Sequence, residues 1–389
     1  MATPSRIGVL GSGTMGVGIA QVAASAGHSV VLVDADTAAL ARARSQLDKN
    51  VRALIDKGRL SQEAGSALTA RVTTTTDIAS YGDCSCVIEA ITEQLDAKRA
   101  AFLQLEHVVA ADCILATNTS SLSIAAIAAD CAHPQRVIGA HFFNPAHLLP
   151  LVEVVPGLGT DATVVAATRA LVESCGKIVV IAKDTPGFIV NRIARPFYGE
   201  ALRLLEEGVA DSATIDWAMR DLGGFRMGPF ELMDLIGNDI NYQVTETIFA
   251  AFYFDPRFKP SVIQKRLVEA KRFGRKTGSG FYDYRNEAAK PSPRQDQALG
   301  QTILQRVLCM LINEAADAVH CGIASVADIE LAMTKGVSYP KGLLQWADEL
   351  GIANVVEHLA ALQSEYGEDR YRPHVLLKRM ARTGGRFHV

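Results

Sequence analysis

The stretch VLGSGTMGVGIAQ, residues 9–21, contains three glycines in the spacing G-x-G-x-x-G, namely Gly11, Gly13 and Gly16. It continues an apolar run from residue 6 that predicts a strand, and it opens a helical pattern over 14–26. A second predicted strand, 29–34, ends in Asp34, 23 residues after the first glycine. A lone glycine motif would be weak, but this strand–turn–helix–strand context with its closing acid predicts a dinucleotide-binding unit.

The residues of this loop have separate tasks in such a unit. Gly11 permits the tight turn, Gly13 lets a pyrophosphate approach the backbone at the helix N-terminus, and Gly16 lets the helix pack on the strand. Thr14 and Met15 begin the helix and are predicted to bind the same cofactor. The alternative is a glycine-rich turn without a ligand, which the complete unit disfavours.

Asp34 decides which cofactor is expected. Its carboxylate would accept hydrogen bonds from the ribose hydroxyls and would repel a 2′-phosphate, so NAD is favoured over NADP. Arg42 and Arg44 would suit a phosphate, but they fall a turn or more into the next helix.

Short β-branched runs alternate with helical patterns over the first 184 residues. Strands are predicted at 6–10, 29–34, 84–91, 113–118, 137–142 and 177–183, and helices between them at 14–26, 37–57, 94–110 and 161–175. Several strands are apolar nearly throughout, as in parallel sheets covered on both faces. The pattern predicts an α/β fold, a Rossmann-type doubly wound sheet, as the first domain, 1–184.

Two all-α domains are predicted after the breaker DTPG, residues 184–187. The first covers 185–286, and Pro196 within its first helical pattern predicts a kink or a break. A polar segment with two prolines, 287–298, predicts a linker before the second helical domain, 299–389.

The second helical domain repeats the first under a shift of 114 residues. Identities fall in one register over about 48 positions, at Arg192 and Arg306, Glu200 and Glu314, Gly208 and Gly322, Asp234 and Asp348, and Gly237 and Gly351. Because loop glycines coincide as well as helix residues, chance similarity between two amphipathic helices is a weak explanation. The pattern predicts a duplicated helical domain.

The composition is typical of a globular protein and argues against several partners. Of the 389 residues 49% are hydrophobic, the formal net charge is -3 and the pI is near 6.3, so neither a nucleic acid nor a membrane surface is expected as a partner. No apolar run approaches the ~18 residues of a membrane span. The seven scattered cysteines lack zinc-like spacing, and the first strand leaves no room for a signal peptide. These features predict a cytoplasmic protein without a metal site.

Two ionisable side chains interrupt the apolar stretch GAHFFNPAHLLPLVEVVPG, residues 139–157. His141 ends one predicted strand and Glu153 lies in the next, with a return loop that would bring them together. A histidine suits the proton that moves with a hydride, and a carboxylate would orient its ring. Such groups are costly to bury unless they are paired or used, so a structural salt bridge and a catalytic pair remain equally open from position alone. His147 in the return loop is the rival.

Polar residues also follow two other predicted strands, at the edge where open α/β sheets bind ligands. They are Glu93 and Lys98 after one strand, and Asn118, Ser120 and Ser121, in ATNTSSLS, after the next. The serines would also suit the cap of a helix expected at 122–129, and for Ser121 capping is the favoured interpretation.

Six motifs occur in one order across residues 6–284: GSGTMGVGIAQ, ATNTSSLSI, GAHFFNPAHLLPLVEVV, DTPGFIVNRI, MGPFELMDLIG and GRKTGSGFYDY. In these motifs, and in the His-to-Glu spacing of twelve residues, the chain resembles the 3-hydroxyacyl-CoA dehydrogenases. The resemblance implies reversible, NAD-dependent oxidation of a (3S)-3-hydroxyacyl-CoA to the 3-oxoacyl-CoA, for example a 3-hydroxybutyryl or 3-hydroxyadipyl thioester. It also places the substrate between the first two domains.

The same resemblance implies a role for each residue that matches a motif. His141 is the general acid/base and Glu153 orients it, while Ser120 and Asn191 bind the reacting oxygen or the acyl carbonyl. The remaining positions are Glu93, Lys98, Asn118 and Asn144 for the nicotinamide half of the cofactor, and Lys57 for the CoA phosphates.

The chain departs from the family pattern in two respects. Arg226 stands where many relatives have a proline before MGPFEL, with no effect that the sequence defines. The second repeat has Gln305 at the position of Asn191 and KGLLQW in place of MGPFEL, so it is expected to pack and not to catalyse. In duplicated members such a repeat would replace the helical domain of a partner subunit; a homodimer is the alternative.

Two other functions remain open. One is a non-catalytic NAD-binding protein of the same fold, which the intact set of candidate catalytic residues argues against. The other is a dehydrogenase for a different hydroxyacid, which the motifs HFFNPA and LVEVV argue against. Neither the acyl-chain length nor the physiological direction follows from the sequence.

Overall fold

A computed structural model describes residues 5–285 and 291–388 of the chain. The chain divides into two units, Met1–Phe188 and Ile189–Val389. The division falls shortly after the predicted end of the first domain at 184, and both helical repeats belong to the second unit. Within the described ranges no helix has the length and apolar character needed to cross a membrane.

The first unit is built on one eight-stranded sheet. Its strands are Arg6–Leu10 (β1), Ser29–Val33 (β2), Val72–Thr75 (β3), Cys86–Glu89 (β4), Ile114–Thr117 (β5), Val137–Phe142 (β6), Leu151–Pro156 (β7) and Ile178–Ile181 (β8). They lie in the order β3-β2-β1-β4-β5-β6-β7-β8. Neighbours are parallel except β6 and β7, which are antiparallel. The strand order reverses between β1 and β4, which confirms the predicted doubly wound sheet.

The edge strand β3 was not predicted. Its residues VTTT leave only Val72 buried, so the segment lacks the apolar run by which the other strands were recognised. It pairs in parallel with β2 and follows a helix that was also not predicted, Gln62–Ala70 (α3).

Helices connect the parallel strands and cover the sheet. Those of the first unit, besides α3, are Thr14–Ser25 (α1), Thr37–Asp56 (α2), Leu95–Val108 (α4), Ile124–Ile127 (α5) and Ala162–Ser174 (α6). The long helix α2 begins where it does because the carboxylate of Asp36 accepts a hydrogen bond from the Ala38 N–H and caps it.

The antiparallel pair β6 and β7 brings the two candidate catalytic residues together. Every residue of β6 is buried, as are the first five of β7. In the register of this pair His141 lies directly opposite Glu153, so the two side chains project from the same face with Cβ atoms about 5 Å apart. The spacing of twelve residues thus follows from two strand ends and the return loop 143–150.

The second unit consists mainly of helices. The first repeat contributes Val190–Ile193 (α7), Arg195–Glu206 (α8), Ser212–Trp217 (α9), Pro229–Ile236 (α10), Asn238–Ala251 (α11) and Val262–Glu269 (α12). The second repeat contributes Gln297–His320 (α13), Val326–Leu331 (α14), Leu343–Leu350 (α15), Ile352–Tyr366 (α16) and Val375–Thr383 (α17). Short π-helical turns lie at Ala218–Leu222 and Ala332–Gly336.

The two repeats keep the register of 114 residues in three dimensions. The π-helical turns coincide under this shift, and Gly237 and Gly351 both have positive φ, 106° and 85°. The repeats differ at Pro196, which lies in the first turn of α8 and separates it from α7, as the prediction of a break requires. Met310 occupies this position in the second repeat, and α13 runs through it unbroken.

The predicted linker, 287–298, overlaps the start of the second repeat. Residues 287–290 lie outside the described residues. Helix α13 begins at Gln297 because the carboxylate of Asp296 accepts hydrogen bonds from two backbone N–H groups of the first turn.

Candidate active site

The turn between β1 and α1 has the form that a pyrophosphate needs. Gly11 has a φ of 101°, and a Cβ there would lie 2.6 Å from the Ala90 carbonyl oxygen. A Cβ on Gly16 would lie 1.8 Å from the Gly11 carbonyl oxygen, so only glycine fits both positions. Gly13 instead faces open space, and it precedes the first turn of α1 without a side-chain cap. The turn therefore offers backbone N–H groups to an anion and fits NAD.

Asp34, immediately after β2, couples the expected ribose position to the glycine turn. Its Oδ2 accepts hydrogen bonds from the backbone N–H and the hydroxyl of Ser12, both at 2.8 Å, and its Oδ1 accepts one from the Asp36 N–H at 3.0 Å. Burial acts to raise the pKa of Asp34, but these hydrogen bonds outweigh it and lower the pKa. The carboxylate is thus ionised at neutral pH, which suits ribose hydroxyls and disfavours a 2′-phosphate.

His141 and Glu153 form a buried hydrogen-bonded pair. His141 Nδ1 lies 2.7 Å from Glu153 Oε2, with Glu153 completely buried and His141 6% exposed. The His141 ring packs against Phe143 and Phe188, at centroid distances of 4.4 and 5.9 Å, which holds its orientation. Within the described part of the chain Nε2 makes no hydrogen bond. A carboxylate on Nδ1 favours the tautomer in which Nε2 is the proton acceptor.

Glu93 accepts hydrogen bonds from several polar groups of the loop after β5. Its Oε1 accepts hydrogen bonds from the Thr119 hydroxyl at 2.7 Å, from the Ser120 N–H at 2.8 Å and from the Ser120 hydroxyl at 3.2 Å. Burial acts to raise the pKa of Glu93, but the charge of Lys98 and these hydrogen bonds lower it overall. An ionised Glu93 therefore fixes the loop that carries Ser120.

Ser121 does not cap helix α5, contrary to the prediction. Its N–H and hydroxyl both lie near Glu93 Oε1, at 3.2 and 3.3 Å. Ser123 is the cap, with a hydroxyl that accepts a hydrogen bond from the Ala126 N–H at 3.2 Å. The charged carboxylate is the stronger acceptor for the Ser121 groups, so the helix starts later than expected.

A buried acid that was not predicted, Glu89, shares Lys98 with Glu93. Glu89, the last residue of β4, is fully buried and accepts hydrogen bonds from Lys98 Nζ and from the Thr117 hydroxyl, both at 2.7 Å. Lys98 is 1% exposed, and its Nζ also lies 3.3 Å from Glu93. Lys98 thus holds Glu93 in place, and its predicted contact with the cofactor stays a prediction. A lone acid in an apolar strand, the signal that marked Glu153, would also have marked Glu89.

The two predicted asparagines have different surroundings. Asn118 follows β5, and its Oδ1 accepts a hydrogen bond from the Phe142 N–H at 2.8 Å, which ties this loop to the end of β6. Asn144 is exposed in the return loop and precedes a cis peptide bond to Pro145. Their contacts with the cofactor stay predictions, as do those of Thr14 and Met15.

Lys177 anchors the return loop that contains His147. Its Nζ donates hydrogen bonds to the carbonyl oxygens of Ala146 and Leu149, at 2.6 and 2.7 Å. Burial and the charge of Lys177 lower the pKa of His147. Among the described residues no carboxylate lies beside His147, whereas His141 has Glu153. This difference favours His141 as the acid/base.

Four other residues marked in the sequence lie in helices or next to them. Lys57 is exposed at the C-terminal end of α2, and Arg226 is exposed between the first π-helical turn and α10. Asn191 lies in α7, and Gln305 occupies the equivalent position in α13. The predicted roles of Lys57 and Asn191 stay predictions, and nothing in the structure explains Arg226.

An open glycine turn, an ionised acid after β2 and a buried histidine–carboxylate pair on one sheet define an oxidoreductase that uses a nicotinamide cofactor. The chain matches the family described as 3-hydroxyacyl-CoA dehydrogenase, NAD binding domain, over residues 6–185. It matches the 3-hydroxyacyl-CoA dehydrogenase, C-terminal domain, over 187–284 and 303–386. The chain therefore belongs to the 3-hydroxyacyl-CoA dehydrogenase family and is an NAD-dependent oxidoreductase.

Relatives with and without the second repeat are known. The 3-hydroxyadipyl-CoA dehydrogenase of Escherichia coli (strain K12) is 40% identical over 98% of both chains, in an alignment of 466 positions, so it carries segments that this chain lacks. A 3-hydroxybutyryl-CoA dehydrogenase of Clostridioides difficile is 38% identical over 72% of this chain and 99% of its own. The crystal structure of 3-hydroxybutyryl-CoA dehydrogenase from Escherichia coli K12 substr. MG1655 shares 38% identity and a TM-score of 0.93, covering 98% of this chain and 99% of that chain.

Proposed function

We propose that the substrate is a (3S)-3-hydroxyacyl-CoA with a short acyl chain, such as the 3-hydroxybutyryl or 3-hydroxyadipyl thioester. The observation that carries the proposed chemistry, oxidation of a hydroxyl with NAD, is the 2.7 Å contact between His141 Nδ1 and Glu153 Oε2, on the same sheet as an open glycine turn. Relatives named for these two thioesters, at 40% and 38% identity, support the choice.

The proton-transfer step is assigned to the His141–Glu153 pair. NAD, when bound, supplies the hydride acceptor. In oxidation His141 Nε2 takes the proton of the 3-hydroxyl as hydride leaves C3, and Glu153 stabilises the resulting imidazolium. In the reverse direction the imidazolium is the acid.

The other proposed roles follow the positions already described. Ser120, held by Glu93, hydrogen-bonds the reacting oxygen, and Asn191 binds the acyl carbonyl. The residues proposed to hold the cofactor are Gly11, Gly13, Thr14, Met15, Gly16 and Asp34 for its adenosine and pyrophosphate part, and Glu93, Lys98, Asn118 and Asn144 for its nicotinamide part. Lys57 is proposed to contact the CoA phosphates.

The test is the oxidation of NADH, followed by its near-ultraviolet absorbance. Acetoacetyl-CoA and 3-oxoadipyl-CoA should both support turnover, whereas free acetoacetate, or NADPH in place of NADH, should support little. His141→Ala should lower the rate by roughly a hundredfold or more. No rate with any 3-oxoacyl-CoA, together with intact NADH binding, would favour the non-catalytic alternative. A nearly unchanged rate for His141→Ala would contradict the assigned mechanism.

Location and assembly belong to the same proposal. The protein is proposed to act in the cytoplasm, in line with seven cysteines that form no disulfide. The second repeat is proposed to pack where a partner subunit's helical domain would lie, which makes the full chain a monomer. Buried ion pairs between the repeats, such as Arg306 with Glu200 at 3.0 Å, support this assignment.

A further inference from the structure

The second repeat makes an ion pair with the residue next to Asn191. We propose that Asp317, in α13, is a positioning residue for the acyl-CoA: by holding Arg192 it fixes the short helix α7, and with it Asn191. This inference rests on the proposed role of Asn191. It gives the second repeat a part in substrate binding without placing any of its residues on the substrate.

Arg192 ties α7 to the rest of the unit. It is 4% exposed, its Nη2 donates a hydrogen bond to Asp317 Oδ2, and its guanidinium lies 5.0 Å from the centre of the Phe252 ring. Helix α7 has only four residues, and α8, with Pro196 in its first turn, begins soon after it at Arg195. So short a helix has little stability of its own, and its position depends on such side-chain contacts.

Asp317 is itself held in one place and in its charged form. Its Oδ2 also accepts a hydrogen bond from Arg257 at 3.1 Å, and its Oδ1 lies 3.2 Å from His374 Nε2. Burial acts to raise the pKa of Asp317, but the hydrogen bond with His374 and the charges of Arg192 and Arg257 outweigh it and lower the pKa. Arg192 therefore meets a fixed negative charge on the longest helix of the unit.

The internal repeat supplies a matched comparison. Under the shift of 114 residues Arg192 corresponds to Arg306, whose Nε donates a hydrogen bond to Glu200 at 3.0 Å. Glu200 is buried and also pairs with a second arginine, Arg370, at 3.4 Å, as Asp317 does with Arg257. Arg306, however, follows Gln305 in an unbroken helix, where no substrate contact is expected. The two acids thus join the repeats in similar ways, but only Asp317 pairs with the arginine next to Asn191.

The experiment compares Asp317→Asn, Glu200→Gln and Asn191→Ala in the full chain. Each variant is measured for kcat/KM with acetoacetyl-CoA, for the Kd of NADH by fluorescence, and for Tm. Asp317→Asn should lower kcat/KM roughly tenfold to a hundredfold, because a small displacement of a positioning group has effects of that size. Its Kd for NADH should be unchanged. Asp317→Asn and Glu200→Gln should lower Tm by similar amounts. Glu200→Gln should leave kcat/KM close to the wild-type value.

The outcomes separate this inference from the proposed function. If Asn191→Ala keeps its kcat/KM, the role of Asn191 is wrong and the inference falls with it. If Asn191→Ala loses activity and Asp317→Asn does not, or if Glu200→Gln loses as much as Asp317→Asn, only the positioning role is overturned. Should Asp317→Asn fail to fold, Asp317→Glu keeps the charge and displaces it by one methylene. A loss of kcat/KM beyond that of Glu200→Gln then supports the inference, and no loss overturns it.

Discussion

Removing the charge of Glu153 has an effect that can be worked out from the structure. The 2.7 Å contact with His141 Nδ1 puts the centres of the two charges roughly 4 Å apart, where unit charges interact by about 4 kcal/mol at an effective dielectric constant of about 20. Both side chains are buried, so solvent screens this interaction little. The imidazolium forms only as the proton is transferred, so Glu153→Gln should raise the barrier and not weaken ground-state binding. A barrier change of this size corresponds to about a thousandfold in kcat, and since glutamine keeps a hydrogen-bond acceptor, a loss of roughly 10²- to 10³-fold is expected.

The assay measures kcat for NAD reduction with (3S)-3-hydroxybutyryl-CoA, the direction in which the imidazolium forms, and the Kd of NADH, for Glu153→Gln and a control. Glu106 is a suitable control because its side chain is only 8% exposed and it pairs with Arg136 at 3.5 Å in the same unit. Arg136 precedes β6 at the end opposite His141. Glu106→Gln should lose stability and keep kcat. A Glu153→Gln enzyme within tenfold of the wild-type kcat would refute the electrostatic reasoning, as would an equal loss in both variants.

Three further predictions concern the cofactor, the pH dependence of stability and the second repeat. Asp34→Ala should weaken NADH binding tenfold or more, because it removes the ribose acceptor and two hydrogen bonds to Ser12, each worth about 1–3 kcal/mol. Fluorescence titration with NADH and NADPH measures the Kd values. An unchanged Kd for NADH would contradict the prediction. Burial raises the pKa of Asp216 to about 7, against the lowering effect of the Tyr282 hydroxyl, so the folded chain keeps a proton that the unfolded chain releases near pH 4. The free energy of unfolding should therefore fall by up to about 4 kcal/mol as pH rises from 4 to 7, and urea unfolding of wild type and Asp216→Asn should show different pH profiles; identical profiles would contradict the assignment. Truncation after residue 286 removes α13, which packs on α8. The truncated chain should therefore associate, while the full chain stays monomeric. Light scattering measures both, and the same oligomeric state for the two would show that the second repeat does not replace a partner.

Much of this protein could be predicted from the sequence because the relevant signals are local. Apolar runs identify the buried parallel strands, and the glycine spacing identifies a turn in which a Cβ would collide with backbone atoms. The register of 114 residues identified the duplication, since loop glycines and helix residues recur together. Pro196 predicted the break before α8 for an equally local reason, the loss of a backbone donor. Strand β3 was missed because its threonines carry no apolar run.

Only the tertiary structure decided how the charged groups are paired. The strand register places His141 opposite Glu153, and the fold brings Lys98 within hydrogen-bonding or ion-pair distance of both Glu89 and Glu93. The fold also directs the N–H and hydroxyl of Ser121 to Glu93, although the position of Ser121 in the sequence predicted a helix cap. Across 125 residues of chain it joins Arg192 to an acid of the second repeat. The physical reason is that backbone geometry and apolar periodicity act between neighbours in the chain, whereas a buried charge must find its partner among whatever side chains the fold brings within hydrogen-bonding distance.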